Sequence, residues 1–159
     1  MTWIQQSKNL LHSLVNDSFP ELAREKILLS SFNLGPFWGA AWWILPGFRV
    51  IVLSPKSRAI PQSALIALLV HELSHHLVYK REGWLKYVTR TPLIYMFFRF
   101  RIRDEEHRAN RLVMRRGYGR NLYDLTEIID QDPRHGCVQK YYSTKDEIKN
   151  YCLERGLKF

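Results

Sequence analysis

Cysteine is scarce: 159 residues contain two, Cys137 and Cys152. That excludes a disulfide-built scaffold and leaves both thiols expected free. The N-terminal MTWIQQSKN lacks the features of a secretory leader. The expected location is cytoplasmic, extending to the membrane surface if a basic region docks there. Acidic residues are also few, 15 against 24 Lys and Arg, for a net charge of +9 and a pI near 9.8. Long uninterrupted apolar runs are missing. Ile27 to Phe48 carries no charge, but Gly35-Pro36 and Pro46-Gly47 cut it into short pieces. Such breaks do not suit a membrane-crossing helix, and no transmembrane segment is expected. Low hydrophobicity is not among the deficits. At 46% hydrophobic and 13% aromatic, the chain is not a disordered polymer, and its length suits one domain with one core.

The positive charge is concentrated. Lys80 to Arg120 holds 12 Lys or Arg against 4 Asp or Glu, a net +8. A local excess of this kind is either a solvated face or a surface that meets phosphates, those of a membrane or of a nucleic acid.

Apolar spacing predicts a helix over residues 3–16, and Ser18-Phe-Pro-Glu21 has the form of a capping box opening a second helix to about Ser31. The aromatic stretch Trp38–Ile44, the turn Pro46-Gly47 and the β-branched Arg49–Leu53 predict a β-hairpin. Pro55 and Pro61 bracket a loop before a helix over 62–80 that is apolar on nearly every side and must be buried, with Gly83 ending it. A further helix is expected over 104–116, stopped by Gly117 and Gly119. Another runs from an Asn121 cap to about Gln131, and a last one opens at the capping box Thr144-Lys-Asp-Glu147.

The buried helix contains His71-Glu72-Leu73-Ser74-His75, an HExxH pattern. Four residues is just over one helical turn, so both imidazoles leave the same face and can ligate one Zn²⁺, with Glu72 beside them to take a proton from activated water. Two His and a Glu in an otherwise apolar helix are costly unless paired or metal-bound. Catalytic zinc usually has three protein ligands, and the third must come from elsewhere. The next helix reads Asp104-Glu105-Glu106-His107-Arg108-Ala109-Asn110. On it Glu106, Ala109 and Asn110 share a face: a carboxylate, a small residue that allows close approach, and an amide able to orient an imidazole. His107 and Glu105 are rival third ligands. His76 points about 100° away from His75, and its expected role is packing or surface. His135-Gly136-Cys137 has no second metal-type pair and reads as a loop.

HExxH followed by Glu-x-x-Ala-Asn resembles the gluzincins, zinc peptidases whose third ligand is Glu. The nearest forms are the CAAX-prenyl-protease and heat-shock-type membrane peptidases and their compact relatives, the minigluzincins. The resemblance spans about residues 37–117. It implies an α+β, zincin-like fold: a small antiparallel or mixed sheet with a hairpin, the buried HExxH helix and several more helices, in a single domain with a C-terminal helical extension over about 120–159. It also implies a zinc metalloendopeptidase with His71, His75 and Glu106 as ligands, Glu72 as general base and Asn110 behind an imidazole. The Arg49–Leu53 strand would line the cleft and pair with an extended peptide or protein substrate. The membrane relatives insert a transmembrane hairpin between the two motifs. Here 31 positions separate His75 from Glu106, and the apolar run Thr91–Phe98 is too short to span. Where those relatives carry an oxyanion-stabilising His after Ser-Thr, this chain has Lys145. Lys145, His135, Tyr118 and Tyr123 stay open for that role. Three variants of the function remain: a nucleic-acid-associated protease using Arg108, Arg111 and Arg115; a membrane-surface protease anchored through Trp84–Arg103; and a latent enzyme whose Pro133–Thr144 loop crosses the cleft.

Overall fold

A computed structural model describes residues 2–89, 99–136 and 138–159, with residues 99–101 described by backbone alone. The apolar run expected at 91–98, Arg90 and Cys137 lie outside the described residues.

Helix α1, Trp3–Ser18, is capped by Thr2, whose side chain accepts from the Gln5 N–H. Its buried face carries Leu11 and Leu14. The helix expected from Ser18 to Ser31 does not form. Pro20–Leu22 makes only a 3-10 turn, and Lys26–Ser31 is a strand, β1. Both polar members of the supposed capping box are engaged far along the chain: Ser18 Oγ lies 2.7 Å from Tyr118 Oη, and Glu21 pairs with Arg116 at 2.7 Å.

Gly39–Leu45 (β2) and Phe48–Leu53 (β3) form the expected antiparallel hairpin, turning at Gly47 with φ of 80°. β1 pairs parallel to β3, so the sheet is mixed and ordered β1-β3-β2. This corrects the expectation that Arg49–Leu53 lines the cleft and pairs with substrate. β3 is the centre of the sheet, hydrogen-bonded on both sides, and its Ile51 and Leu53 are fully buried. The edge strand on the cleft side is β2.

Helix α2, Gln62–Glu82, packs under the sheet and is buried on almost every face, as its apolar sequence requires. It stops at Gly83, whose φ of 91° suits only glycine. Residues 84–89 add a short helical stretch. Arg49, fully buried, fastens sheet to helix. Its Nε bonds Glu25 at 3.1 Å, its Nη1 donates to the His76 carbonyl at 3.0 Å, and its guanidinium stacks 4.1 Å from the Trp43 ring.

Helix α3, Arg99–Val113, begins before the expected start and runs into a π-helical turn, Met114–Tyr118, where Gly117 at φ 85° makes a kink. Helix α4 then spans Gly119–Asp130. Asn121 does not cap it, because its amide donates to the Ser63 carbonyl. Helix α5, Lys145–Glu154, has the full capping box of Thr144 and Glu147. Leu122, Leu125, Ile148 and Cys152 join Leu69 and Leu73 of α2 in one hydrophobic cluster, so the last forty residues help to build the core. The architecture is α+β: five helices around a three-stranded mixed sheet among the described residues. None of the described helices is long and apolar enough to cross a membrane.

Candidate metal centre

α2 and α3 lie against each other, and the small Ala109 of α3 is fully buried. Across that seam His71, His75 and Glu106 converge. The Nε2 atoms of the two imidazoles are 3.1 Å apart, and Glu106 Oε2 is 3.0 Å from His71 Nε2 and 3.5 Å from His75 Nε2. These three buried residues are a group able to hold a metal ion. Ligands about 2.0–2.1 Å from a tetrahedral zinc stand about 3.3 Å from one another, so the spacing fits.

The wiring behind the centre decides its chemistry. Asn110 donates its Nδ2 to Ser143 Oγ at 3.1 Å, which turns its Oδ1 toward His71 Nδ1 at 2.9 Å. His71 therefore keeps its ring proton on Nδ1, and its Nε2 lone pair faces His75 and Glu106. Lone pairs and a carboxylate gathered in a buried space require a proton or a cation between them. Without a cation, a proton serves. Burial works against a charged His75, but Glu106, with Glu72 and Glu105 behind it, pushes its pKa up to about 9. For Glu106 burial acts upward, and the His75 and His71 imidazoles more than reverse it, holding the carboxyl well below its usual range.

Glu72 is buried beside the cluster, and its carboxylate abuts Gly39 at the start of β2. Burial raises its pKa, opposed in part by the two imidazoles. A cavity of about 340 Å³ opens over the three donors, bordered by Gly39–Trp42, Tyr79, Tyr87 and Tyr142. Trp43 donates its backbone N–H outward to Tyr87 Oη at 3.3 Å. By strand alternation Gly39 and Ala41 also turn their backbone polar groups to this edge, which no other strand among the described residues pairs. A smaller cavity of about 70 Å³ adjoins it, sharing Gly39, His71, Glu72 and Tyr142 and walled by residues that include Leu122, Leu125 and Ile129 of α4.

The rival ligands are placed elsewhere. His107 is half-buried and faces Ser143 Oγ at 3.5 Å, and Glu105 is buried but outside the three-donor group. His76 is fully buried in the packing under the sheet. Burial first, then Arg49 and His75, lowers its pKa to about 3. Of the residues open for the oxyanion role, Lys145 is paired with Glu127, Tyr118 with Ser18, and Tyr123 packs on Phe159. His135 lines the smaller cavity. Tyr142, which the sequence reading passed over, has its ring 6.4 Å from that of His71 and 5.0 Å from that of His135. Its only sequence signal is its place beside the Thr144 cap, at the end of the loop suspected of crossing the cleft. No known family model matches the chain, and no curated protein or solved structure matches it significantly.

Proposed function

We infer that this chain is a zinc-dependent endopeptidase of the gluzincin type, built on a zincin-like fold. The observation that carries the reading is the convergence of His71, His75 and Glu106 beneath the free edge of β2, with the Glu72 carboxylate alongside. Two imidazoles and a carboxylate form a donor set suited to zinc. Zinc held there supplies a Lewis acid that acidifies water and polarises a carbonyl. The other tasks belong to the chain. Gly39–Trp42 would bind an extended peptide by main-chain hydrogen bonds, which give affinity with little demand on side chains. Glu72 would accept the proton of the attacking water and return it to the leaving amine, and a proton affinity raised by burial suits both transfers. Asn110, itself held by Ser143, keeps the His71 ring in one tautomer and one orientation. Tyr142 borders the centre where Lys145, Tyr118 and Tyr123 do not, and is our choice of donor to the developing oxyanion.

The test is metal analysis of the purified protein together with hydrolysis of a quenched peptide library. Wild type should carry one equivalent of zinc. Alanine at His71, His75 or Glu106 should remove most of it, and Glu72→Gln should keep the metal and the fold while abolishing turnover. Unchanged zinc in Glu106→Ala with loss in His107→Ala would move the third ligand. Turnover by Glu72→Gln close to wild type would refute the general-base role.

A further inference from the structure

On the face formed by the end of α2 and the outer side of α3 lies a second concavity of about 270 Å³. Arg81 of α2 stands on one wall, and Arg108, Arg111 and Arg115 on the other, with Glu82 the single carboxylate lining it. All four arginines are exposed. Arg108 is held by Glu82 at 3.1 Å and Arg115 by the Tyr151 hydroxyl at 3.0 Å, which leaves each guanidinium further donors. No carboxylate among the described residues forms an ion pair with Arg81 or Arg111. The groove shares no lining residue with the cavity over the metal centre.

We propose that this arginine-lined groove binds the phosphodiester backbone of a nucleic acid. Among the described residues lining the groove, four positive groups stand against the one negative of Glu82, a local charge of +3, with Glu21 beyond the groove acting electrostatically on Arg81. Arg108 and Arg111 of α3 and Arg115 of the π-helical turn after it recur at steps of three and four residues, a stripe about 10 Å long at 1.5 Å per residue. A stripe of that length matches a run of phosphates rather than one isolated anion. Guanidinium forks meet phosphate oxygens in pairs, which favours arginine over lysine for this task. The lining speaks against a bilayer, because the large exposed apolar side chains a membrane surface would need, such as Ile44, Leu45 and Leu85, line no part of it. The contacts are to backbone, so sequence preference is absent and salt dependence strong. The proposal stands independently of the peptidase reading, because its residues and its readout are separate from the metal centre.

The experiment is fluorescence anisotropy of a labelled oligo-deoxythymidine of about 20 nucleotides, titrated with the full chain between about 50 and 200 mM salt. Wild type should bind, with log K falling against log salt by about 0.7 per phosphate contacted. Arg81→Ala/Arg111→Ala should weaken binding about tenfold and flatten the slope by about 1.4, with melting temperature and zinc content unchanged. Arg24→Ala/Arg58→Ala, which removes the same charge from exposed positions outside the groove, should change binding less than about twofold. Equal weakening by both double variants would reduce the effect to net charge and overturn the proposal. So would absence of binding by wild type, or a groove variant that loses binding to anionic phosphatidylserine vesicles while keeping its affinity for the oligonucleotide.

Discussion

Gly39→Ala tests the tie between the edge strand and the base. A Cβ built on Gly39 would overlap Glu72 Oε1, and would stand 3.0 Å from Glu72 Cδ and 3.2 Å from Cγ. Ordinary carbon contacts begin near 3.4 Å, so the carboxylate must withdraw by about 1 Å, a misplacement that costs about 10²-fold in catalysis. That is about 2.7 kcal/mol of transition-state stabilisation. The same methyl crowds the buried Glu72 side chain, at about 1–3 kcal/mol of stability, or about 2–12 °C in melting temperature for a chain of this length. The three atoms nearest the new Cβ all belong to Glu72, so the displacement falls first on that side chain rather than on His71, His75 or Glu106. Zinc content should therefore persist. Three measurements on one variant form the assay: metal analysis, a thermal melt and kcat on a quenched peptide. A Gly39→Ala protein with kcat within about threefold of wild type would show that the position of Glu72 does not govern the reaction.

Asn110→Ala should lower zinc affinity about 10–100-fold in a competition titration with a chromophoric chelator, because the His71 ring loses its orienting partner; unchanged affinity would remove that role. Ile148→Ala should cost about 2–5 kcal/mol in denaturant unfolding, and a chain cut after Gly119 should be insoluble, since Ile148, Leu122 and Leu125 sit in the shared core; a folded, more active truncation would instead identify the tail as a plug. The metal-free protein should have a pH optimum of stability set by the centre. His75, with a folded pKa of about 9 against 6.5, stabilises fully below 6.5 and loses that contribution as pH rises through 9. Glu106, depressed from 4.5, stabilises above 4.5 and loses its contribution as pH falls. Melting temperature should thus decline from pH 6.5 to 9 without metal, and not with it; a flat metal-free profile would show that His75 carries no such proton.

Local chemistry was legible where one segment determined its own structure. The apolar helix carrying HExxH, the stop at Gly83, the hairpin around Pro46-Gly47 and the Thr144–Glu147 cap all depend on residues a few positions apart. The pairing of the two imidazoles followed from helical periodicity alone. β1 was misread because Lys26–Ser31 has no strand signature of its own; its geometry comes from parallel pairing with β3, more than twenty positions away. The capping box at Ser18 failed for a related reason, its polar groups being taken by Tyr118 and Arg116. Hairpin prediction also gave both strands without saying which would be central, and that depended on β1. Around the centre, Glu106 and Asn110 could be placed on one face from their spacing, whereas Ser143 and Tyr142 could not. They arrive from a loop whose path is fixed by distant links such as Lys56 to Asp132 at 2.8 Å.

The free edge of β2 has a cost for solubility. Among the described residues no further strand pairs with β2, and the outward N–H and C=O groups of Gly39 and Ala41 form an edge that can accept an extended chain, including the same edge of another copy. Beyond Trp42 the protein blunts that risk itself, with the Tyr87 hydroxyl taking the Trp43 N–H and the Trp84 indole taking the Ile44 carbonyl at 3.4 Å. What stays uncovered is a window of about four residues, set in a recess rather than on a flat side. On the peptidase reading proposed above, an edge set in a recess would take a flexible extended segment more readily than the edge of a folded copy, which would disfavour self-pairing.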